Sequence, residues 1–147
     1  MAFQSRCMEN DHSCRGRIVA EVDVERIRRE ARALATYAGF DRHDAEAIHL
    51  AVSELATNLV RYAPGGELVV SIVSEANGVG ILIQCSDPGP GIVDVELALR
   101  DGYSTGGGLG NGLPGVRRLM DDFTIATSPS GTSIEAHKWL PFPSPSR

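Results

Sequence analysis

The chain has 147 residues, 42% of them hydrophobic and 22% charged, which fits one compact domain and is too short for two. Its formal net charge of −5 disfavours nucleic acid or an anionic membrane surface as the main partner. Three cysteines, an N-terminus without the apolar core of a signal peptide and the lack of a long apolar run predict a cytoplasmic protein with no membrane span.

The predicted domain covers residues 16–140 and lies between two tails. Residues 1–15 are polar and lack periodicity, and residues 141–147 are rich in proline and serine, as is typical of flexible chain ends. An opening strand is predicted at "GRIVAEV", residues 16–22.

Two amphipathic helices are predicted next. Asp23 is suited to cap the first, whose apolar residues recur at helical spacing until Gly39. Asp41 is suited to cap the second, which carries a stronger apolar stripe and ends at "APGG", residues 63–66. Each helix has one apolar face, so we expect both to pack on a common core.

The rest of the chain predicts two hairpins and a short helix. "ELVVSIVS" and "VGILIQCSD" flank an Asn-Gly turn, and "FTIATS" and "TSIEAHKWL" flank a turn at residues 129–131. Between the hairpins a helix is predicted over roughly residues 113–121, and Trp139 is expected in the core. These elements predict an α+β fold, a two-layer sandwich with a mostly antiparallel mixed sheet and helices on one face.

The stretch "DGYSTGGGLGNGLPGVRRLM", residues 101–120, combines many glycines with the start of that helix. No G-x-x-x-x-G-K-[ST] motif occurs, which excludes a P-loop. Gly110, Gly112 and Gly115 fit G-x-G-x-x-G, but a dinucleotide site needs a buried strand before them, and "LALRDGYST" is polar. A flexible linker is the other alternative, yet a linker rarely leads straight into an amphipathic helix. Glycine amides beside a helix N-terminus favour a polyphosphate site.

Two further motifs contain candidate ligand-binding residues. "DPGPG" places Asp87 at a strand end beside Gly89 and Gly91; a tight turn and a carboxylate that accepts from the adenine amino group both explain it. On the second helix Glu54, Asn58 and Arg61 share one stripe, which predicts either a solvated face or a functional cluster. Ala47 and Ala51 continue that stripe and favour the second alternative, because small residues leave open space for a ligand.

The order of these motifs resembles the four nucleotide-binding boxes of the GHKL, or Bergerat-fold, ATPase superfamily. They are Glu54-x-x-x-Asn58, Asp87-x-Gly89-x-Gly91, Gly108-x-Gly110-x-Gly112 and Gly131-Thr132. Within the superfamily the chain is most similar to the RsbT-type serine/threonine switch kinases, over most of residues 16–140. The related RsbW and SpoIIAB anti-sigma-factor kinases share the boxes but resemble the middle of the chain less.

The resemblance implies a role for each matched residue. Asp87 would bind the adenine amino group, and Gly91 and Thr132 would complete the base pocket. Asn58 would ligate Mg²⁺, Glu54 would act as the catalytic base, and Arg61 would lie near the phosphates. The remaining implied ATP-binding residues are Gly89, Gly106, Gly107, Gly108, Leu109, Gly110 and Gly112.

The implied function is an ATP- and Mg²⁺-dependent protein serine/threonine kinase that acts as a partner switch in bacterial stress signalling. Its substrate would be a STAS-domain protein, and a PP2C-type phosphatase would be its second partner. The alternatives are an anti-sigma factor that sequesters a sigma factor and phosphorylates its antagonist, and a degenerate domain that binds ADP without transfer.

Overall fold

The computed structural model describes residues 12–62, 65–76, 78–89 and 112–141. In these residues three helices and five strands occur in the order β1, α1, α2, β2, β3, α3, β4, β5. The helices are α1 (Glu21–Ala38), α2 (Arg42–Tyr62) and α3 (Gly112–Leu119). The strands are β1 (Ser13–Ile18), β2 (Gly66–Glu75), β3 (Gly78–Asp87), β4 (Asp122–Ser128) and β5 (Gly131–Trp139).

The strands form one sheet in the order β1-β2-β3-β5-β4, and every described pairing is antiparallel. The β2–β3 and β4–β5 hairpins match the predicted ones. Alternate residues of each central strand are buried, as expected for a sheet with one face on a core. The predicted α+β fold with helices packed on the sheet is confirmed.

The core lies between the sheet and the two long helices. Each element contributes the apolar side chains of one face, and the largest fully buried ones include Ile27, Leu34, Ile48, Leu55, Leu68, Ile81 and Ile83. At about 25 cal/mol per Å² of buried apolar surface, such side chains contribute roughly 1.5–3 kcal/mol each. This shared core holds α2 in a fixed position over the strand ends.

The start of the domain differs from the prediction. Asp23 lies inside α1 rather than before it, and its Oδ2 accepts the N–H groups of Val19 and Ala20 at 3.0 Å each. Because these bonds turn the chain into the helix, β1 ends at Ile18 instead of continuing to residue 22. The strand also begins at Ser13, three residues inside the predicted N-terminal tail.

The other helix boundaries follow local hydrogen bonds. Asp41 caps α2 as predicted, because its Oδ1 accepts the N–H of Asp44 at 2.8 Å. The short helix α3 ends at Leu119, two residues earlier than predicted. The Lys138 ammonium donates to the carbonyl oxygen of Leu119 at 2.9 Å, and the Asp121 N–H donates to the His137 carbonyl at 2.8 Å. The chain therefore joins the sheet before another helical turn can form.

Candidate functional site

The end of β3 carries the first predicted site residue, Asp87. This carboxylate is half-buried and lies opposite Thr132 of β5 in the sheet register. Its Oδ1 accepts the N–H of Gly89 at 2.7 Å, so the side chain forms the tight turn that follows the strand. The turn uses one of the two carboxylate oxygens and fixes the orientation of the other.

Two glycines hold neighbouring strands close to Asp87. A Cβ atom on Gly131, which has φ +151°, would lie 2.3 Å from the Asp87 carbonyl oxygen. A Cβ atom on Gly66 would lie 2.4 Å from the Ser86 carbonyl oxygen and 3.1 Å from Asp87 Cβ. Since no other residue fits at this separation, these glycines fix how β5 and β2 enclose the end of β3.

Thr132 is buried beside this carboxylate, with 9% of its surface exposed. Its hydroxyl lies 3.0 Å from the hydroxyl of Thr127, its partner across the β4–β5 ladder. The Thr127 hydroxyl is also 3.5 Å from the Gly131 carbonyl oxygen. Thr127 therefore orients the Thr132 hydroxyl, a role that the sequence patterns did not indicate.

The polar stripe of α2 supplies the next predicted residues. Glu54 and Asn58 are half-buried, and Arg61 is exposed in the last turn of the helix. Among the described residues neither Glu54 nor Arg61 belongs to an ion pair, whereas Glu46 on the same helix pairs with Arg32. The stripe is thus partly covered by protein and does not serve to join α2 to α1.

Gly66 lies in contact with both α2 and the end of β3 that carries Asp87. A Cβ atom at this position would lie 2.7 Å from Leu59 Cδ2 as well as 3.1 Å from Asp87 Cβ. Leu59 follows Asn58 directly in the chain, so the C-terminal half of α2 and the end of β3 converge there. Ala47 and Ala51, which were predicted to leave open space toward the start of α2, are instead buried.

The glycine-rich segment is described only at its end. Gly91, Gly106, Gly107, Gly108, Leu109 and Gly110 lie outside the described residues. Gly112 begins α3, and a Cβ atom there would meet no atom within 4 Å. Leu113 and Val116 are buried, and α3 packs against α2. The helix that follows the predicted phosphate segment therefore lies beside the helix that carries Glu54 and Asn58.

Cys85 lies two residues before Asp87 on the same face of β3, and no sequence pattern predicted a role for it. Burial raises the pKa of its thiol to about 12, and the negative charge of Asp87 acts in the same direction. The thiol therefore stays neutral under physiological conditions and acts as a small apolar group beneath the carboxylate.

The described part of the chain offers neither a metal cluster nor a membrane helix. It contains no group of three or more His, Cys, Asp or Glu side chains arranged to hold a metal ion. None of its helices has both the length and the apolar character needed to cross a membrane.

Comparisons with known proteins place the chain among ATPase and kinase relatives. Residues 19–138 match the histidine kinase-like ATPase domain family. The serine/threonine-protein kinase RsbT of Bacillus subtilis is 44% identical over 132 residues, which cover 89% of this chain and 98% of that protein. The crystal structure of the RsbU and RsbW domains of a Mycobacterium tuberculosis protein shares the fold, with a TM-score of 0.61 and 20% identity over 90% of this chain. The present chain spans 33% of that longer chain.

Proposed function

The chain belongs to the histidine kinase-like ATPase family and, within it, to the RsbT-type serine/threonine kinases, and we propose that it switches between protein partners by ATP- and Mg²⁺-dependent phosphorylation. The observation that carries the proposal is the convergence at Gly66, where the end of β3 with Asp87 meets the part of α2 that bears Asn58. A base-binding group and a metal-binding group are needed at the two ends of one bound ATP.

Base recognition is assigned to Asp87. One of its oxygens holds the Gly89 turn, and the other is left to accept the exocyclic amino group of adenine. The Thr132 hydroxyl, oriented by Thr127, lies on the neighbouring strand and supplies a second polar contact. A hydrogen-bond acceptor at this position disfavours guanine, because guanine presents a carbonyl oxygen where adenine presents its amino group.

Asn58 fits Mg²⁺ by the chemistry of its side chain. Its amide offers a hard oxygen ligand without negative charge, and ATP phosphates supply most of the other oxygens around a Mg²⁺ ion. When bound, Mg²⁺ neutralises charge on the phosphate oxygens. Asn58 is half-buried on α2, which limits the rotamers from which its oxygen can bind. Arg61, one turn further on, adds a positive charge toward the phosphates.

Glu54 is proposed as the general base. It accepts the proton of a serine or threonine hydroxyl while that oxygen bonds to the γ-phosphorus and the bond from phosphorus to the β–γ bridging oxygen breaks, releasing ADP. Glu54 lies one helical turn before Asn58, the proposed Mg²⁺ ligand, and forms no ion pair with another described residue.

The family assignment supports a proposal for the protein partners. We propose a STAS-domain protein as phosphate acceptor and a PP2C-type phosphatase as the partner engaged after release. A new phosphate of about −2 charge would repel carboxylates at the kinase surface and lower the affinity of the complex. Such release would couple phosphorylation to a change of partner.

Two substitutions on α2 separate the proposed roles. Asn58→Ala is expected to abolish the Mg²⁺-dependent part of ATP-analogue affinity together with kinase activity. Glu54→Gln is expected to bind ATP normally but to lose phosphoryl transfer by about 10²–10⁴-fold. Glu46→Gln on the same helix is the matched control, because it removes only an exposed ion pair with Arg32. Calorimetry and a kinase assay measure both quantities, and full activity in Glu54→Gln would contradict the base assignment.

A partner assay tests the switching. The protein is mixed with γ-labelled ATP and either a STAS-domain protein or a sigma factor encoded near its gene, and both label transfer and co-elution are followed. Stoichiometric labelling of the STAS-domain protein and subsequent loss of the complex support the proposal. Tight binding of the sigma factor without STAS labelling would instead favour the anti-sigma function.

A further inference from the structure

One edge of the sheet carries backbone hydrogen-bonding groups that no other described strand pairs. The strand β1 pairs with β2 on one side, and no described strand pairs with its other side. The Ile72 N–H donates to the His12 carbonyl at 3.1 Å, and His12 and Ile72 oppose each other when the β1–β2 register is extended by one residue. In an antiparallel ladder bonded residues alternate, so the backbone groups of Ser13, Arg15 and Arg17 point away from β2.

The same edge is locally basic in a protein with net charge −5. Arg15 and Arg17 are both exposed and stand two residues apart, so their side chains share one face of β1. Arg15 lies opposite Val69 and Arg17 opposite Glu67, so no acidic residue stands directly opposite Arg15 on β2. Neither arginine takes part in a salt bridge with a described residue.

A groove of about 310 Å³ runs beside this edge. Three arginines, two acidic residues and one glycine line the groove. They are Arg15, Gly16, Arg17, Asp23, Arg26 and Glu67. Asp23 already accepts two backbone N–H groups and lies 3.7 Å from the Arg26 guanidinium. Val19 and Val22, which follow β1 in the chain, have 52% and 70% of their surfaces exposed.

We propose that β1 is a docking edge for an extended acidic segment of a partner protein, which adds a strand to the sheet. Carboxylates two residues apart on that segment would face Arg15 and Arg17, while its backbone bonds to the outward groups of β1. A second copy of the chain is a poor occupant, since antiparallel pairing centred on Gly16 would place Arg15 opposite the partner's Arg17. Like charges in that position are destabilising.

This surface is separate from the nucleotide site. The strand β2 lies between β1 and β3, and the site residues on the sheet belong to β3 and β5. The edge can therefore hold a partner while ATP is bound, and its occupancy needs no phosphoryl transfer. Failure of the kinase proposal and failure of this one are distinguishable, because the test below is made without nucleotide.

The test uses a short fluorescein-labelled peptide of alternating glutamate and threonine, with a glutamine-for-glutamate peptide as its neutral match. Fluorescence anisotropy is expected to detect the acidic peptide only. Replacing both Arg15 and Arg17 by Gln should weaken binding by about twofold to thirtyfold, the effect of losing two exposed ion pairs. Arg42→Gln, an exposed arginine at the start of α2, should leave the affinity unchanged.

Strand addition is separated from simple charge attraction by Arg15→Pro. Proline removes the outward N–H of residue 15 and leaves the β1–β2 bonds intact, as edge strands allow. It should weaken binding more than Arg15→Gln, with circular dichroism as the check on folding. Should this variant fail to fold, hydrogen exchange on the unaltered protein decides the point, because the peptide should slow exchange of the Arg15 and Arg17 amides.

Three results would overturn the proposal. The first is equal affinity for the acidic and neutral peptides, and the second is peptide binding without slower exchange at Arg15 and Arg17. The third is a dimer of the protein, detected by light scattering, that dissociates in the Arg15→Pro variant. That result would make a second copy the occupant of the edge.

Discussion

Replacing Gly131 by alanine tests whether the β4–β5 turn positions Asp87. The new Cβ would lie 2.3 Å from the Asp87 carbonyl oxygen, and a shift of about 0.7 Å is needed to reach 3.0 Å, the shortest separation that Cβ atoms normally show. Gly131 also has φ +151°, which alanine adopts only with strain. The backbone strain costs about 1–2 kcal/mol, and an overpacked contact costs about 1–3 kcal/mol more.

Gly78→Ala is the matched control. Gly78 has φ +110°, but a Cβ atom there meets nothing within 4 Å. Gly78 stands at the opposite end of β3 from Asp87. A strand of 10 residues places the two about 30 Å apart. This variant should therefore lose only the strain term of about 1–2 kcal/mol, against about 2–5 kcal/mol for Gly131→Ala.

Urea denaturation gives the free energy of unfolding of both variants, and calorimetry with an ATP analogue gives their affinities. We expect Gly131→Ala to bind roughly 5- to 150-fold more weakly, because displacing Asp87 removes the proposed hydrogen bond to the base, with an expected contribution of about 1–3 kcal/mol. Gly78→Ala should bind normally. Equal destabilisation of the two variants, together with unchanged affinity in both, would show that Gly131 does not position the carboxylate.

Three other predictions concern the same end of the sheet. Asp87→Asn should keep the turn through its remaining Oδ1 yet weaken ATP binding by about 1–3 kcal/mol and reduce the preference over GTP, measured by competition. Thr127→Val should leave folding cooperative but weaken ATP-analogue binding by about 1 kcal/mol, since Thr132 loses its hydroxyl partner; unchanged affinity would exclude that positioning role. The Cys85 thiol has its pKa raised from 9.0 to about 12, so the unfolded chain ionises first and stability falls as pH rises between these values. The expected slope is about 1.4 kcal/mol per pH unit relative to Cys85→Ala, followed by urea denaturation, and parallel profiles would refute it.

Much of the fold follows from local sequence signals. The Asn-Gly turn and the alternating apolar residues beside it predict the β2–β3 hairpin, and the stripe of α2 predicts its buried face. The prediction for Trp139 was wrong, because Thr132, Ile134 and Ala136 already point into the core and the period of two sends residue 139 to the other face. There its indole N–H donates to Asp122 at 2.8 Å.

The spatial arrangement of the candidate site is harder to predict from the sequence than the fold is. The place of Asp87 after an apolar strand makes it a candidate, but nothing local shows that Gly66 touches both Asp87 and Leu59. That contact depends on how α2 crosses the sheet, which many residues of the core decide together. Thr127 escapes prediction for the same reason, because its partner Thr132 is defined only by the register of the β4–β5 ladder.

The described residues of the candidate site are held in position in two different ways. The proposed base-binding end is built from strand ends, where the register fixes Asp87 and Thr132 opposite each other. Asn58 instead belongs to α2, whose position depends on the helix–sheet core. The strand ends and α2 meet at Gly66. Because glycine has no side chain, Ser86, Leu59 and Asp87 can all lie close to it. The distance between the proposed base-binding and metal-binding ends is therefore set by the close approach of backbone at a glycine, which side-chain patterns alone do not specify.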